Sequence, residues 1–563
     1  MSDLVRWQPW GVQTLADARQ ANKPVLLWIH YAGCQWCEVM ASECFADAQT
    51  SALINAQFVP VKVDRDERPE LDHLYQVAQQ LLTRQGGGWP LTMFLDPQDA
   101  LPFFGGTYFP AQPQAGMPAF ATVLERVAKY YQQQPQALQA QAEALREALR
   151  QTDALGEPLT PDVRQLAAAR QALQARFDRA HGGWGEAPKF PHVPRIQRLL
   201  RDWHATALGE APDLQALYLA TLALQRMAES PLRDVDGGFF RYCVDAAWQQ
   251  PQREKSVADT ASLVSVYADA ARATGEPLFR RVAAEGAAWL AAQPLAQADG
   301  KVALALLDAA AATGDAALRQ HARLCLTTIH NSQWREGRLW STATAAQRPA
   351  LLDAHLDLIN ALLAEQAQQF DVAHLHWAVA LMQQVLAHFT AATAPGFFLT
   401  ADDHEPLPHR SRVLSDTSQP AGHALAIHLL QRLGGLLQRA DWQALARQAL
   451  AATLGRAVGQ PLAHASLFTA LEQALYPPLF VVVRATPPLL SQWRQALLAL
   501  YQPRVTVLCL DTEPTDLPAA LAGCVPQGEA VGWLWAAGET PTPHAALPLL
   551  LDALRAAQTP APT

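Results

Sequence analysis

The chain has 563 residues, of which 50% are hydrophobic and 17% are charged, and its formal net charge is -9. A single hydrophobic core seldom organises so long a chain, so we expect about two or three domains. The modest negative charge gives no electrostatic reason to bind nucleic acid or a membrane surface. No apolar run reaches the roughly 20 residues that span a bilayer, and the first residues do not resemble a signal peptide. These features predict a soluble globular protein without nucleic-acid or membrane partners.

Seven cysteines are spread through the chain, which is too few for the disulfide framework of a secreted protein. We therefore expect a cytoplasmic protein. In that compartment a closely spaced cysteine pair is more often catalytic or redox-active than structural.

Residues 1–120 predict alternating strands and helices, which favours a mixed or parallel sheet. Short apolar runs predict the strands, and helical spacing of apolar residues predicts the helices. The expected strands are 25–31, 58–64 and 91–96, followed by a hairpin at 103–109, and the expected helices are 38–55 and 70–83.

Cys34 and Cys37 stand between the first expected strand and the first expected helix, in the segment Gly-Cys-Gln-Trp-Cys. A strand that delivers two thiols to the start of a helix is typical of a thioredoxin-like redox site. Unpaired N–H groups and the helix dipole favour a thiolate at that place. We therefore predict that Cys34 attacks a disulfide and that Cys37 resolves the mixed disulfide. A thioredoxin-like domain that only binds a partner is the alternative.

Trp89 and Pro90 follow three glycines and precede the strand expected at 91–96. In thioredoxin-like folds a cis-proline at this point lies beside the cysteine pair, so we predict a cis Trp89–Pro90 bond. An ordinary turn proline is the alternative. Trp36, Trp89 and Pro90 are the residues expected to position a substrate.

Cys44 follows Cys37 by about two helical turns and would share its helix face. A zinc site needs four ligands in tighter clusters, and His30 is the only nearby imidazole in the sequence. We therefore predict that Cys44 is a buried small residue and that the protein uses no metal ion or other cofactor.

Beyond the first domain the sequence becomes helical. Residues 121–158 predict a linking helix, and from 159 to 475 Ala and Leu recur at the spacing of about twelve helices. Turns of glycine followed by an aromatic residue lie at 182–184, 237–239, 337–340 and 396–398. Helix pairs with a repeated turn at one end predict an (α/α)6 toroid, with an open helical array as the alternative. Residues 476–563 contain three apolar strands and predict a small α/β region.

A toroid end lined by aromatic residues would suit a sugar-like ligand, because aromatic faces stack on the apolar faces of sugars. Trp184 and Phe239 are the candidates for stacking. Glycosidase chemistry needs two carboxylates about 5–10 Å apart. The candidate carboxylates are Asp245, Glu254, Asp259 and Asp416. In the alternative interpretation Asp245 and Asp416 cap turns or helices, and Glu254 forms a local ion pair with Lys255.

Several segments of the chain are distinctive beyond their periodicity. They are Trp7, Trp10, 23–25, 34–40, 43–45, 58–72, 87–95, 104–110, 183–191 and 237–245. In these segments the chain resembles the thioredoxin-domain-containing family that includes bacterial YyaL and spermatogenesis-associated protein twenty. The resemblance is strong over residues 7–110, patchy to about 430 and weak beyond. It implies a thioredoxin-like domain joined to an (α/α)6 toroid like those of glycosidases and sugar epimerases.

The chain departs from this family at functional positions. The family usually reads Cys-His-Trp-Cys-His, whereas this chain has Gln35 and Glu38 in place of the two histidines. Trp28 stands where thioredoxins usually carry a buried acid. The imidazole that would stabilise a thiolate or bind a metal is therefore missing, and the charge of Glu38 would raise the pKa of a nearby thiol. In the toroid, 251–260 also departs from the family's Pro-His-Phe-Glu-Lys-Met-Leu-Tyr-Asp-Asn.

Three functions are compatible with the sequence. The first is a thiol–disulfide oxidoreductase or redox-linked protein, whose partner is a protein thiol, a protein disulfide or a reductant. The second is a carbohydrate-binding or carbohydrate-active toroid with a vestigial thioredoxin domain. The third is a scaffold that binds a protein through the thioredoxin-like face. The two intact thiols favour the first.

Overall fold

The computed structural model describes residues 4–114, 116–341, 348–391, 395–510 and 516–558. The chain divides into two compact units. The first unit contains the residues up to Ala154 together with the segment Asp402–Arg412. The second contains Leu155–Ala401 and the residues from Val413 onward.

A four-stranded sheet forms the centre of the first unit, with strand order β2-β1-β3-β4. Its strands are β1 (Val25–His30), β2 (Val59–Asp64), β3 (Leu91–Leu95) and β4 (Pro102–Gly106). β1 pairs in parallel with β2 and antiparallel with β3, and β3 pairs antiparallel with β4. Val25 to Ile29 are all buried, because hydrophobic clusters cover both faces of the sheet. The mixed sheet expected from the sequence is confirmed.

The helices of the first unit differ from the sequence expectation in two places. They are α1 (Val12–Gln20), α2 (Gln35–Met40), α3 (Ala48–Gln57), α4 (Pro69–Thr83), α5 (Phe120–Gln133) and α6 (Pro135–Thr152). The helix expected over 38–55 is interrupted: α2 continues as a π-helical turn, and α3 starts anew because the Asp47 carboxylate accepts the Thr50 N–H.

The single linking helix expected over 121–158 is two helices. The break falls at Gln134 because the following Pro135 disfavours helical backbone in the residue before it. Val123 and Leu138 pack in the hydrophobic core beside the cysteine pair. The segment is therefore part of the first unit rather than a connector.

Twelve helices of the second unit alternate between an outer and an inner layer, counted over its described residues. The outer helices are α7 (Val163–Ala175), α9 (Leu214–Ala228), α11 (Pro277–Ala291), α13 (Ala316–Gln333), α15 (Val372–His388) and α17 (Ala440–Gly459). The inner helices are α8 (Val193–His204), α10 (Val257–Thr274), α12 (Gly300–Thr313), α14 (Leu352–Gln368), α16 (Gly422–Leu436) and α18 (Ala465–Leu475).

Each inner helix contacts the next, and α18 contacts α8, so the inner layer closes into a ring. This is the (α/α)6 toroid expected from the helix pairing, and the open array is excluded. A short hairpin of β5 (Trp334–Arg335) and β6 (Arg338–Leu339) connects α13 to α14.

The chain ends in a second four-stranded sheet, which belongs to the same unit as the toroid. Its strands are β7 (Leu479–Ala485), β8 (Val505–Leu510), β9 (Ala530–Ala536) and β10 (Thr542–His544), with helices α19 (Pro487–Leu498) and α20 (Leu547–Gln558). β8 packs against the inner helix α14. The α/β region expected at this end of the chain is confirmed.

None of the described helices is both long and apolar enough to cross a membrane.

Candidate redox site and the lumen of the toroid

The cysteine pair lies where β1 ends and α2 begins. Gly33 has a φ of 83°, a left-handed conformation that favours glycine, and the next N–H, of Cys34, donates to the carbonyl oxygen of Tyr31 at 3.3 Å. Cys34 is the N-cap of α2, and its Sγ accepts the N–H of Cys37 at 3.2 Å. The two residues form a disulfide. The local turn therefore places both sulfurs at the first turn of the helix.

The group exposed at this site is an aromatic ring, and the two sulfur atoms are buried. Cys34 is 2% exposed and Cys37 is 3% exposed, whereas Trp36 between them is 57% exposed. The Trp36 ring lies 5.2 Å from the ring of Tyr108, whose hydroxyl donates to Glu43 at 2.8 Å. Desolvation and this carboxylate raise the pKa of Tyr108 to about 12, so it stays a neutral donor. A partner approaching the disulfide meets Trp36 first.

The Trp89–Pro90 peptide bond is cis, as predicted. The Trp89 indole donates to Asp72 at 2.9 Å, and its ring packs edge-on against Tyr31 at 5.8 Å. The guanidinium of Arg65 lies 4.1 Å above the Trp89 ring. Tyr31 thus joins the proline loop to the cysteine loop, because its carbonyl also accepts the Cys34 N–H.

Trp28 takes the place of a buried acid beneath the site. It is buried, stacks on His30 at 4.8 Å and lies beside Lys62, whose Nζ is 5.4 Å from the ring. Burial and the Lys62 charge lower the pKa of His30, which favours a neutral imidazole. At this position of β1 the chain offers an aromatic ring instead of a carboxylate that could accept a proton.

Cys44 is fully buried, and its thiol donates to the carbonyl oxygen of Phe109 at 3.4 Å. Burial raises the pKa of this thiol to about 12, which keeps it protonated. These observations agree with the interpretation of Cys44 as a small buried residue.

One group of possible metal ligands in the first unit escaped the sequence analysis. Glu70, His404 and Glu405 come together although they are far apart in the chain. Arg68 already supplies a positive charge there, since it donates to Glu70 at 2.6 Å and also contacts Glu405. The carboxylates therefore have a side-chain counter-ion.

Trp184 and Phe239, the expected stacking residues, lie in the helical core. Trp184 is 1% exposed and its indole donates to the carbonyl oxygen of Leu173, while Phe239 is 0% exposed and stacks on Tyr267 at 5.7 Å. The turn at Gly237 (φ 94°) accepts only glycine, because a Cβ there would come within 2.5 Å of the Glu285 carbonyl oxygen. This corrects the expectation of an aromatic-lined ligand site: the turns pack helices together.

Two of the candidate carboxylates in the toroid bind backbone N–H groups. Asp245 accepts from Ala247, Gln249 and Gln250, and Asp416 accepts from Ala421 and Ser466. Both therefore behave as the capping alternative proposes.

The other two carboxylates form side-chain pairs. Glu254 pairs with Arg241 at 3.3 Å, not with Lys255 as the alternative proposed. Asp259 lies 3.6 Å from the same Arg241 and accepts a hydrogen bond from Gln419 at 2.9 Å.

A cavity of about 310 Å³ occupies the lumen of the toroid, and its described lining includes none of the six candidates. Its charged lining residues are Arg201, Asp269, Arg272, Lys301, Asp308, Asp357 and Arg432. The sequence does contain a signal for these lining residues. An inner helix has no polar face toward solvent, so a charged residue on a helix that is apolar on every other side indicates a buried site.

Parts of the chain match known proteins. Residues 1–150 match the family model Thioredox_DsbH, described as a protein of unknown function, DUF255. Spermatogenesis-associated protein 20 of Homo sapiens is 35% identical over 284 residues, which are 50% of this chain and 36% of that protein. The match thus spans little more than a third of that relative's length. The resemblance inferred from the motifs is confirmed.

Two solved structures are similar to separate parts of the chain. A cellobiose 2-epimerase from Spirochaeta thermophila covers 54% of this chain and 85% of its own, at 15% identity and a TM-score of 0.40. A thioredoxin from Thermus thermophilus covers 23% of this chain and 89% of its own, at 27% identity and a TM-score of 0.18.

Proposed function

We propose that the first unit catalyses thiol–disulfide exchange through Cys34 and Cys37. The observation that carries this proposal is the position of the two sulfurs at the start of α2, with the Cys37 N–H directed at the Cys34 Sγ. After reduction this N–H and the helix N-terminus would stabilise a thiolate on Cys34. Cys34 is therefore the attacking residue of the pair.

The reaction transfers two electrons. In the reducing direction the Cys34 thiolate attacks a substrate disulfide, forms a mixed disulfide and releases one substrate thiolate. Cys37, once deprotonated, attacks the Cys34 sulfur and releases the second substrate thiolate. The substrate is then a dithiol, the protein carries the Cys34–Cys37 disulfide, and the reverse steps oxidise a dithiol substrate.

A protein segment is the substrate that fits this surface. The exposed Trp36 ring offers an apolar contact beside the sulfurs, and the half-buried Trp89, which precedes Pro90 and β3, would offer its backbone to an extended chain. The partner is thus a protein thiol or disulfide, or a reductant protein. We keep the proposal that neither nucleic acid nor a membrane is a partner.

The departures from thioredoxins define how the site would work. Because Trp28 stands where a buried acid would accept the proton of Cys37, we expect solvent to take that proton. Arg65, whose guanidinium stacks on the Trp89 ring, is a cation on the proline side of the site. The low cysteine content of the chain supports the cytoplasm as the compartment. Reductants there would return the Cys34–Cys37 disulfide to the dithiol after each reaction.

A redox titration of the Cys34–Cys37 pair tests the proposal. Thiol trapping and mass spectrometry across glutathione ratios should give a reversible two-electron couple between about -120 and -270 mV. Cys44→Ser is the matched control and should leave the couple unchanged. Cys37→Ser should then trap a mixed disulfide with a protein substrate. A pair that never oxidises, or never reduces, would refute the oxidoreductase.

The lumen supports a second candidate function, the binding of a carbohydrate-like ligand by the toroid. Its lining includes hydroxyl and amide side chains, such as Ser262, Asn360 and Gln419, that can hydrogen-bond to hydroxyl groups. Ligand-induced stabilisation that survives Cys34→Ser with Cys37→Ser would show that this function is separate from the redox pair. A stable protein complex indifferent to both substitutions would instead indicate a scaffold.

A further inference from the structure

The lumen of the toroid ends against the C-terminal sheet. Arg432, near the end of α16, donates to the Thr506 hydroxyl of β8 from Nε at 3.1 Å and from Nη2 at 2.9 Å. Arg201, near the end of α8, donates to the carbonyl oxygen of Pro503 at 3.0 Å. We call this end of the cavity the floor. Its charged or titratable lining residues are Arg201, Asp269, Arg272, Asp308, His428, Arg432 and Tyr501.

The arginines of the floor differ in their partners. Arg272 donates to Asp269 at 2.6 Å and lies 3.9 Å from Asp308. Arg201 donates to Glu472 at 2.6 Å. Arg432, in contrast, donates only to the neutral oxygens of Thr506 and Val505 and contacts no carboxylate in the described part of the chain.

Three buried nitrogen atoms on the floor also lack hydrogen-bond partners among the described residues. They are Nη2 of Arg201, Nε of Arg272 and Nδ1 of His428. Buried polar groups without partners are costly, so several of them around one cavity favour binding of a ligand that satisfies them. An acceptor with several oxygens would satisfy more than one of them.

The charge balance indicates the sign of that ligand. Burial raises the pKa of Asp308 to about 7 and also raises the pKa of Asp269, so burial opposes negative charge on both carboxyl groups. Burial and the charge of Arg201 lower the pKa of Arg432 to about 10, which still leaves it cationic. The same causes keep His428 neutral. Arg432 therefore supplies a positive charge to the floor that is paired with no carboxylate among the described residues.

We propose that the lumen binds a small organic anion, whose phosphate or carboxylate group lies on the floor against Arg432 and Arg201. A guanidinium matches the planar pairs of oxygens that both groups present. The cavity volume of about 310 Å³ is at the small end of ligand pockets, which suits a molecule of monosaccharide size. The amide and hydroxyl groups of the walls would bind hydroxyls on the rest of the molecule.

This inference specifies the ligand class of the second candidate function and does not depend on the redox pair. The test is calorimetric titration of the full chain with four probes: glycerol 3-phosphate, glucose 6-phosphate, gluconate and neutral glucose. We expect one of the anions to bind and glucose to bind at least about tenfold more weakly. Preference for the phosphates or for gluconate identifies the anionic group.

Arg432→Gln should weaken binding of the preferred anion about 10- to 100-fold, because a charged hydrogen-bond donor is lost. The matched control is Arg439→Gln, which removes an exposed arginine that pairs with Asp441 and should leave affinity unchanged. Equal affinity for glucose, or unchanged anion affinity in Arg432→Gln, would overturn the anion site while leaving ligand binding by the toroid in place. Absence of binding by all four probes would overturn both.

Hydrogen exchange on the unmodified protein keeps the test decisive if Arg432→Gln does not fold. The preferred anion should slow amide exchange in 425–436 and 500–508, which form the floor. Protection confined to other segments would place the ligand elsewhere and contradict the proposal.

Discussion

The two four-stranded sheets of this protein share one topology but differ in chemistry. In each, the first strand pairs in parallel with the second and antiparallel with the third, and the fourth is added antiparallel at the edge. The N-cap residue of the helix after the first strand is Cys34 in one sheet and Thr486 in the other. Only the first of these loops carries a thiol pair. The sheet is thus a common support, and the loop determines what it can do.

The second sheet has a different role, because its surroundings are different. β8 and the loop before it provide Pro503 and Thr506 to the arginines of the toroid. The equivalent strand of the first sheet, β2, lies at the sheet edge beside β1 and supports the cysteine strand. The comparison indicates that one sheet holds the cysteine pair while the other closes a helical lumen.

The largest expected effect is the loss of disulfide exchange when the loop that carries Cys34 and Cys37 is changed. Cys34→Ser should abolish disulfide exchange, because the attacking sulfur is lost, while thermal stability of the reduced protein stays close to that of the wild type. Reduction of a model protein disulfide by the variant measures this. Activity remaining in Cys34→Ser but lost in Cys37→Ser would reverse the assigned roles.

The contact between the second sheet and the toroid depends on a buried ionic group. Glu472 accepts from Arg198 at 2.9 Å and from Arg201 at 2.6 Å. Glu472→Gln leaves two buried guanidinium groups without their shared carboxylate, so we expect a loss of about 3–5 kcal/mol in the free energy of unfolding. Urea unfolding measures it, with the exposed Glu210→Gln as a control. A loss no larger than that of the control would show that solvent compensates the charges.

Acid should weaken the same ionic group in the wild type. Burial opposes the Glu472 charge, but Arg198 and Arg201 overcome it and lower the pKa of Glu472 from 4.5 to about 2. A lowered pKa in the folded state adds stability above the unfolded-state pKa, and that stability is lost as pH falls through about 4.5 to 2. The difference in unfolding free energy between wild type and Glu472→Gln should therefore shrink as pH falls from 6 to 3. A constant difference would contradict this linkage.

A graft tests whether the shared sheet is sufficient for chemistry. Thr486→Cys with Leu489→Cys, in a Cys34→Ser, Cys37→Ser background, reproduces the thiol spacing at the start of α19. We expect the new pair to oxidise in glutathione but to reduce a protein disulfide about a hundredfold more slowly than the wild type, because no proline loop positions the substrate. Wild-type turnover by the graft would show that the sheet and helix start are enough.

The smallest effect concerns the exposed aromatic ring between the cysteines. Trp36→Ala should lower kcat/KM for a protein disulfide by about 2- to 10-fold, the contribution of one aromatic contact, and leave the redox potential unchanged. A small disulfide such as oxidised glutathione should be reduced at a nearly unchanged rate. An equal loss with both substrates would assign Trp36 to the cysteine chemistry rather than to binding.

Local patterns in the sequence predicted much of this architecture. The strand before Cys34, the proline before β3 and the alternating helices of the toroid are all encoded within short segments, because strand and helix periods are properties of neighbouring residues. The break before Pro135 also had a local signal, which the helical composition of 121–158 obscured. The functional assignment to the cysteine loop needed only the chain order of strand, thiols and helix.

The residues that line the lumen could not be predicted from local sequence patterns. Trp184 and Phe239 have the composition of a ligand site, yet the ring of helices buries them, while Arg432 and Asp308 are single charges on apolar helices that only ring closure brings together. The segment 402–412 likewise joins the first unit through His409, which lies 2.6 Å from Asp153.

The sequence by itself determined the redox motif, the two kinds of secondary structure and their order. Tertiary structure alone decided which faces of the inner helices surround a cavity and that Arg432 has no paired carboxylate among the described residues. The physical reason is the sequence separation of the contacting residues. Residues within one helical turn or one strand are held close by covalent spacing. A pair such as Arg198 and Glu472, 274 residues apart, meets only when the whole ring has closed.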